Sequence, residues 1–175
     1  MKLTQYSDLG LRMLMYLALR HGNTSTIQEV SVRFGVSKNH MVKISHQLTR
    51  SGLIESIRGR NGGVRLAMSP EKITVEEALY ATEDNFDLVE CFGPDNHCII
   101  TDVCKLSGVL NNARKAFFGV LRQVSLADLV KSSKTLEKTL LPFSEEKIVK
   151  FYPRSTHAAK SKPKYQTGMQ RTASK

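Results

Sequence analysis

Residues 26–68 carry the pattern that most restricts the fold. Two short amphipathic stretches, Ile27 to Phe34 and Lys38 to Arg50, are joined by Gly35-Val36-Ser37, the small-residue turn of a helix-turn-helix. Thr26 and Glu29 form a capping box at the start of the first helix, and Ser37 is placed to cap the second. Two alternating segments follow at once, Leu53 to Ile57 and Val64 to Met68, linked by Arg58-Gly-Arg-Asn-Gly-Gly63. Alternation reads as strand, and Asn61-Gly62 is a strong short-range hairpin signal because such turns need positive φ. A helix-turn-helix followed by a basic hairpin is a winged helix. The fold class expected is therefore mainly α with a small β-wing.

The flanking sequence extends that reading. Thr4 to Arg20 spaces Tyr6, Leu9, Met13, Tyr16 and Leu17 three or four apart, a buried helix stripe closed by His21-Gly22. Ser69-Pro70 breaks the pattern, and Thr74 to Thr82 is a short helix with a Thr74/Glu77 capping box. Glu83 to Asp102 is acidic and holds Gly93-Pro94, so it reads as a loop. From Cys104 to about Val124 the apolar stripe Leu106, Val109, Leu110, Ala113, Phe117, Val120 and Leu121 marks a long helix, and Ser125 starts a last short one. The expected division is 1–68 winged helix, 69–104 connector helix and cysteine loop, 105–142 long and short helices, and 143–175 a basic tail. The tail is expected to be disordered, because a segment so poor in large apolar groups cannot offset its ordering entropy.

Charge is unevenly spread. The 175-residue chain has a net charge of +10, but residues 1–66 hold ten basic and three acidic side chains, 67–143 eight and eleven, and 144–175 eight and two. A basic front half suggests a polyanion partner. No apolar run approaches the ~18 residues that span a bilayer, and no secretory leader is apparent, so a soluble cytoplasmic protein is expected.

On the second helix of the pair, Ser37, Lys38, Asn39, His40 and Lys43 form a polar, basic face suited to the major groove of double-stranded DNA. Asn39 can read adenine in bidentate fashion, and the lysines suit phosphate or guanine. Arg58, Arg60, Asn61, Gly62 and Arg65 surround a hairpin tip where the backbone can approach the duplex closely. A solvated helix face beside an ordinary hairpin is the plain alternative; concentration of charge on two elements that geometry places together favours DNA. Nucleophile–base pairs and phosphate loops are missing from the pattern, so an enzyme is not expected.

All three cysteines lie within 14 positions, as Cys91-x6-Cys98-x5-Cys104. An odd count argues against a disulfide framework, and soft thiolates gathered on one loop suit zinc or an iron–sulfur cluster. The spacings exceed the usual C-x2–4-C of zinc fingers, which favours the cluster. Three thiolates leave a fourth position, for which His97, Asp95 and Asp102 are local candidates. A DNA-binding protein with structural zinc and an electron-transfer iron–sulfur protein are the rival classes, and the second gives a basic winged helix nothing to do.

Several stretches together carry a resemblance: residues 1–12, Val36 to Lys43, Arg58 to Leu66, the three cysteines, and Leu126 to Leu129. Over residues 1 to about 142 the chain resembles the bacterial iron–sulfur winged-helix transcriptional repressors, and within them the nitric-oxide-sensitive branch. That resemblance implies a homodimer joined through the long helix, a palindromic DNA operator, nitric oxide as effector and control of nitric-oxide detoxification genes. It also implies a [4Fe-4S] cluster, with [2Fe-2S] the alternative, held by Cys91, Cys98, Cys104 and Asp8 of the partner subunit. A second branch, sensing cluster supply or redox state, completes its cluster with a histidine three residues after the last cysteine, where this chain has Ser107. Read without the resemblance, Asp8 lies one turn before Arg12, the spacing of a surface ion pair worth only ~0.2–0.5 kcal/mol.

Overall fold

The structure, a computed structural model, describes residues 3–60, 62–131 and 133–141; the tail expected at 143–175 lies outside them. Within the described residues the order is α1 (Gln5–Leu19), α2 (Ile27–Phe34), α3 (Lys38–Arg50), β1 (Ile54–Ile57), β2 (Gly63–Leu66), α4 (Val75–Tyr80), α5 (Lys105–Arg122), α6 (Leu126–Val130) and α7 (Lys134–Leu140). Short 3-10 turns stand at Pro70–Lys72, Glu90–Phe92 and Thr101–Val103. This is the mainly helical winged-helix architecture that the pattern of helices and hairpin leads one to expect.

α1 is the hub. Its Met13, Leu14, Tyr16 and Leu17 are buried together with Val30 of α2, Met41, Ile44 and Leu48 of α3, and Ile54, Val64 and Leu66 of the wing. At ~25 cal/mol per Å² of apolar surface, burial of this set is the main source of stability for so small a unit. Its local signals act as the sequence implies: Thr4, Thr26 and Ser37 each accept a backbone N–H of the helix they open, and Gly35 ends α2 at φ 65°.

β1 and β2 form an antiparallel ribbon in which Ile54 faces Leu66 and Ile57 faces Gly63. Ser25 adds a one-residue third rung, exchanging both backbone hydrogen bonds with Val64 at 2.9 Å. A side chain at Gly63 would bring its Cβ to 2.5 Å from the Ser25 carbonyl oxygen, so only glycine lets the ribbon lie against the α1–α2 connection.

The chain then leaves the core and comes back. Ile73, Ala78 and Leu126 belong to the same buried cluster as α1. The two ends of the excursion are tied at Thr74 and Ser125: Val75 donates to the Val124 carbonyl at 2.9 Å and Leu126 to that of Ile73 at 2.8 Å. Between these ties run α4, the cysteine loop and α5, whose 18 residues extend about 27 Å. Phe118 alone on α5 is fully buried, stacked on Tyr80 at 4.9 Å and met edge-on by Phe86 at 4.7 Å. Below that aromatic joint Arg122 makes a two-pronged bond to the buried Glu76, at 2.6 and 2.7 Å. The apolar stripe expected on α5 does not turn inward: Leu106, Val109 and Val120 are each about three-fifths exposed.

Candidate functional site

The face expected to read DNA lies on α3. Ser37, Lys38, Asn39 and Lys43 are exposed and His40 half-buried, while Met41, Ile44, Ser45 and Leu48 turn into the core. Ser37 is committed at its oxygen to the His40 N–H (3.2 Å), leaving its hydroxyl proton to donate outward. α3 is fastened from α1, where the Tyr6 hydroxyl donates to the Lys43 carbonyl at 2.8 Å and its ring lies 6.2 Å from that of His40. Partial burial raises the Tyr6 pKa, with Arg50 opposing, so that proton stays on.

The wing is the hairpin that the sequence leads one to expect. Its loop has five residues, 58–62, and among the described residues Gly59 takes a positive φ of 108°. Gly62 is required by crowding: a Cβ there would sit 2.5 Å from the Ile57 carbonyl oxygen and 2.8 Å from that of Gly59. Asn61 itself lies outside the described residues. Arg58 and Arg60 are exposed at the tip. Arg65 stands opposite Glu55 in the register, its Nε donating to the carboxylate at 2.7 Å.

The cysteine loop is pinned at both ends. At its head Glu83 accepts the Thr4 N–H at 2.7 Å. Partial burial works to raise the Glu83 pKa, but hydrogen bonds from Ser7 and Thr4 outweigh it and hold the carboxyl below its usual range. Further along, Arg114 of α5 reaches Asp87 at 3.6 Å and lies 4.8 Å over the ring of Phe92, so one guanidinium grips the chain on both sides of Cys91. Asn96 organises the next turn, accepting the Cys98 N–H at 3.0 Å and donating to Thr101 at 2.9 Å, while Thr101 donates to the Cys98 carbonyl at 2.7 Å. Cys104 stands at the N-terminus of α5.

Cys91, Cys98 and Cys104 are all half-buried and free of disulfides. Among the described residues of the single chain no three His, Cys, Asp or Glu side chains converge as a ready metal site. His97 is turned to Glu90, which accepts its backbone N–H at 2.8 Å, and its ring nitrogen lies 3.1 Å from the Asp95 carbonyl. Asp8, in the first turn of α1, is paired with Arg12 at 2.8 Å, both side chains partly exposed.

Residues 3–132 match the family model Rrf2, described as an iron-dependent transcriptional regulator. The chain belongs to the Rrf2 family. Its curated relatives include the HTH-type transcriptional regulators NsrR of Bacillus licheniformis, 44% identical over 142 residues with 80% of this chain and 99% of that one covered, and of Shouchella clausii, 46% identical over 145 residues with 82% and 97% covered. NsrR of Bacillus subtilis is 45% identical over 142 residues, covering 80% and 97%. Among solved structures the fold is shared with T. potens IscR (TM-score 0.63, 23% identity, 78% of this chain and 90% of that one) and with oxidized Staphylococcus aureus CymR (TM-score 0.61, 22%, 75% and 97%). This Rrf2 protein is thus a DNA-binding transcriptional regulator of winged-helix fold.

The long-range ties of the Rrf2 fold and its loop rest on side chains to which sequence reading gave no such role: Tyr6 between α1 and α3, Glu76 and Arg122 between α4 and α5, and Glu83, Asn96 and Arg114 on the loop. Their partners are 79, 46 or 37 positions distant in the longest cases. The one faint signal for any of them was Glu76, a carboxylate on the inner face of a helix too short to bury it unpaired.

Proposed function

We propose that this Rrf2 regulator is a homodimeric repressor that senses nitric oxide through an iron–sulfur cluster bound on residues 83–104. The observation that carries the reading is that every cysteine of the chain, each uncommitted to a disulfide, lies on the one loop running from the head of α1 to the start of α5. Soft thiolate donors fit iron–sulfur chemistry. Cys91, Cys98 and Cys104 would hold a [4Fe-4S] group, with [2Fe-2S] as the alternative nuclearity, and Asp8 of the partner subunit would complete it. A cluster there supplies iron that nitric oxide binds. Ser107, half-buried in the first turn of α5, offers no imidazole, which supports the nitric-oxide branch over the histidine-completed one. The NsrR relatives point the same way.

The chain's own residues then make the state of the loop matter to DNA. Glu83 fastens the loop to the N-terminus of α1, Tyr6 fastens α1 to α3, and Ser37, Lys38, Asn39, His40 and Lys43 read the groove while Arg58, Arg60, Asn61, Gly62 and Arg65 hold the flanking backbone. A dimer presents two such faces to a palindromic operator about one helical turn apart. The dimer surface is the exposed side of α5, where Leu106, Val109, Ala113, Ala116 and Val120 recur in heptad a and d positions and all face solvent in the single chain.

The test is anaerobic purification, visible absorption and iron content, followed by nitric oxide titration alongside DNA binding. A brown protein whose DNA affinity falls with added nitric oxide supports the reading. A colourless protein, or a coloured one whose DNA binding ignores nitric oxide, overturns it. Asp8→Ala is expected to bind a cluster and to respond to nitric oxide differently from wild type; an unchanged response removes Asp8 from the set.

A further inference from the structure

The three cysteines are held in different ways. The Cys98 turn is built from its own neighbours: Asn96 accepts the Cys98 N–H and bonds Thr101, which in turn donates to the Cys98 carbonyl, all within five positions. Cys104 is fixed as the residue that opens α5. Cys91 sits in the 3-10 turn Glu90–Phe92, which closes only through the Val89 and Glu90 carbonyls. So short a turn does not hold itself in place. Glu90 joins it to the Cys98 turn by accepting the His97 N–H at 2.8 Å, a bond that stays within the loop.

The tie to the rest of the molecule comes from Arg114, 23 positions after Cys91 and ten after Cys104 on α5. Its Nη1 reaches the Asp87 carboxylate at 3.6 Å, its guanidinium carbon lies 4.8 Å over the Phe92 ring, and its Nη2 donates to the Asn111 side-chain oxygen at 3.3 Å. Asn111 is one turn earlier, so the side chain runs back toward the Cys104 end of the helix, the direction helical side chains favour. Asp87 is itself held, its N–H donating to the Asn85 side chain at 3.2 Å. The Arg114 and Asp87 side chains are each about a third exposed. An ion pair alone is weak at such a surface, but a guanidinium lying on a ring adds to it. Arg122, two turns further along, bonds Glu76 of α4 and serves the fold; Arg114 serves the loop.

We propose that Arg114 is the positioning residue for Cys91: clasped between Asp87 and Phe92, it holds the Cys91 turn against α5 and presets the first thiol of the donor set relative to the last, Cys104, before any iron is bound. Arg114 is not a donor. It acts through residues on either side of Cys91, as groups that orient a metal ligand do. A thiol already held in place has less freedom to lose when it binds, so the group is released more slowly. Arginine suits this task better than lysine, since a planar guanidinium lies on a ring and pairs with a carboxylate at once, whereas an ammonium keeps the ion pair and gives up the stacking.

The proposal rests on the loop being an iron–sulfur site, so the experiment has one arm without metal and one with it. Full-length wild type, Arg114→Ala, Arg114→Lys and Phe92→Leu are prepared metal-free under anaerobic, reducing conditions, and iodoacetamide alkylation of each cysteine is followed by peptide mass analysis. Arg114→Ala is expected to speed alkylation of Cys91 about fivefold, with Cys98 and Cys104 within about twofold of wild type. Phe92→Leu, which keeps apolar bulk but removes the ring, is expected to speed it about threefold, and Arg114→Lys to recover part of the protection. In the second arm the proteins are loaded anaerobically with iron and sulfide and challenged with a ferrous chelator; the visible band of Arg114→Ala is expected to bleach about tenfold faster than that of wild type. Equal Cys91 rates in wild type and Arg114→Ala overturn the proposal. A rise shared evenly by all three cysteines also overturns it, because it marks a general loss of stability. If wild type takes up no iron while its Cys91 rate still depends on Arg114, the cluster reading falls and the hold of Arg114 on the Cys91 turn stands.

Discussion

Glu55 and Arg65 face each other across the wing, with Arg65 Nε bonded to the Glu55 carboxylate at 2.7 Å and both side chains a little under half exposed. The pair contributes little to stability at that exposure, but the Glu55 carboxylate competes with phosphate for the Arg65 guanidinium in the proposed wing contact. Glu55→Gln frees a cation at the phosphate surface and is expected to tighten binding to duplex DNA a few-fold and to steepen the salt slope by ~0.9. Arg65→Ala is expected to weaken binding by leaving Glu55 facing phosphate, and the double variant to return to wild type. A double variant as weak as Arg65→Ala would show that Arg65 already contacts phosphate in the native complex.

Gly10 sets how closely α4 approaches α1. A Cβ at this position would lie 2.8 Å from the methyl of the buried Thr82, whose hydroxyl is bonded to the Ala78 carbonyl at 2.9 Å and so is not free to rotate away. Gly10→Ala should therefore cost about 1–3 kcal/mol in spite of the better helix propensity of alanine. Urea unfolding measures it, and adding Thr82→Ser, which removes the methyl and keeps the hydroxyl, should restore most of the stability.

The Glu76–Arg122 bond makes stability depend on acid. The Arg122 hydrogen bond holds the Glu76 carboxyl below its ordinary 4.5, outweighing burial, with the guanidinium charge adding to the effect. The unfolded chain takes up that proton at a higher pH than the native protein does. The contribution of the pair is therefore complete above pH 4.5 and is lost as pH falls through the native value. Glu76→Gln should lower the Tm near pH 7 and converge with wild type in acid; a Tm gap that stays constant from pH 7 to about pH 3 would contradict the assignment.

The exposed face of α5 predicts the effect of charge there. Val109→Glu, at a position 62% exposed in the single chain, should leave helix content intact and shift the sedimentation of the protein from dimer to monomer. DNA affinity should fall with it, because two half-sites are no longer bound together. A Val109→Glu protein that remains a dimer would move the interface elsewhere.

The elements of the DNA-reading half were legible in the residues because their causes are local. Capping boxes at Thr26 and Thr74, the Ser37 cap, the Gly35 stop and the alternation on either side of Arg58 to Gly63 each act within a few positions, and the structure places α2 and α3 on the residues expected. Gly63 shows the limit of local reading. Its need for glycine comes from Ser25, 38 positions earlier, whose carbonyl oxygen would lie 2.5 Å from a Cβ there. The apolar stripe of α5 was legible too, but its direction was an expectation from the resemblance alone, since a stripe looks the same whether it faces its own core or another chain.

What the sequence determined by itself is the winged helix, the polar, basic outer face of α3, and the gathering of every cysteine between Cys91 and Cys104, because each follows from side chains a few residues apart. Only the tertiary structure decided that Glu83 ties the cysteine loop to α1, that Tyr6 ties α1 to α3, and that Glu76 and Arg122 join α4 to α5. Those bonds link residues dozens of positions apart, and a carboxylate or hydroxyl acquires such a partner only after burial of the core has fixed where each helix lies.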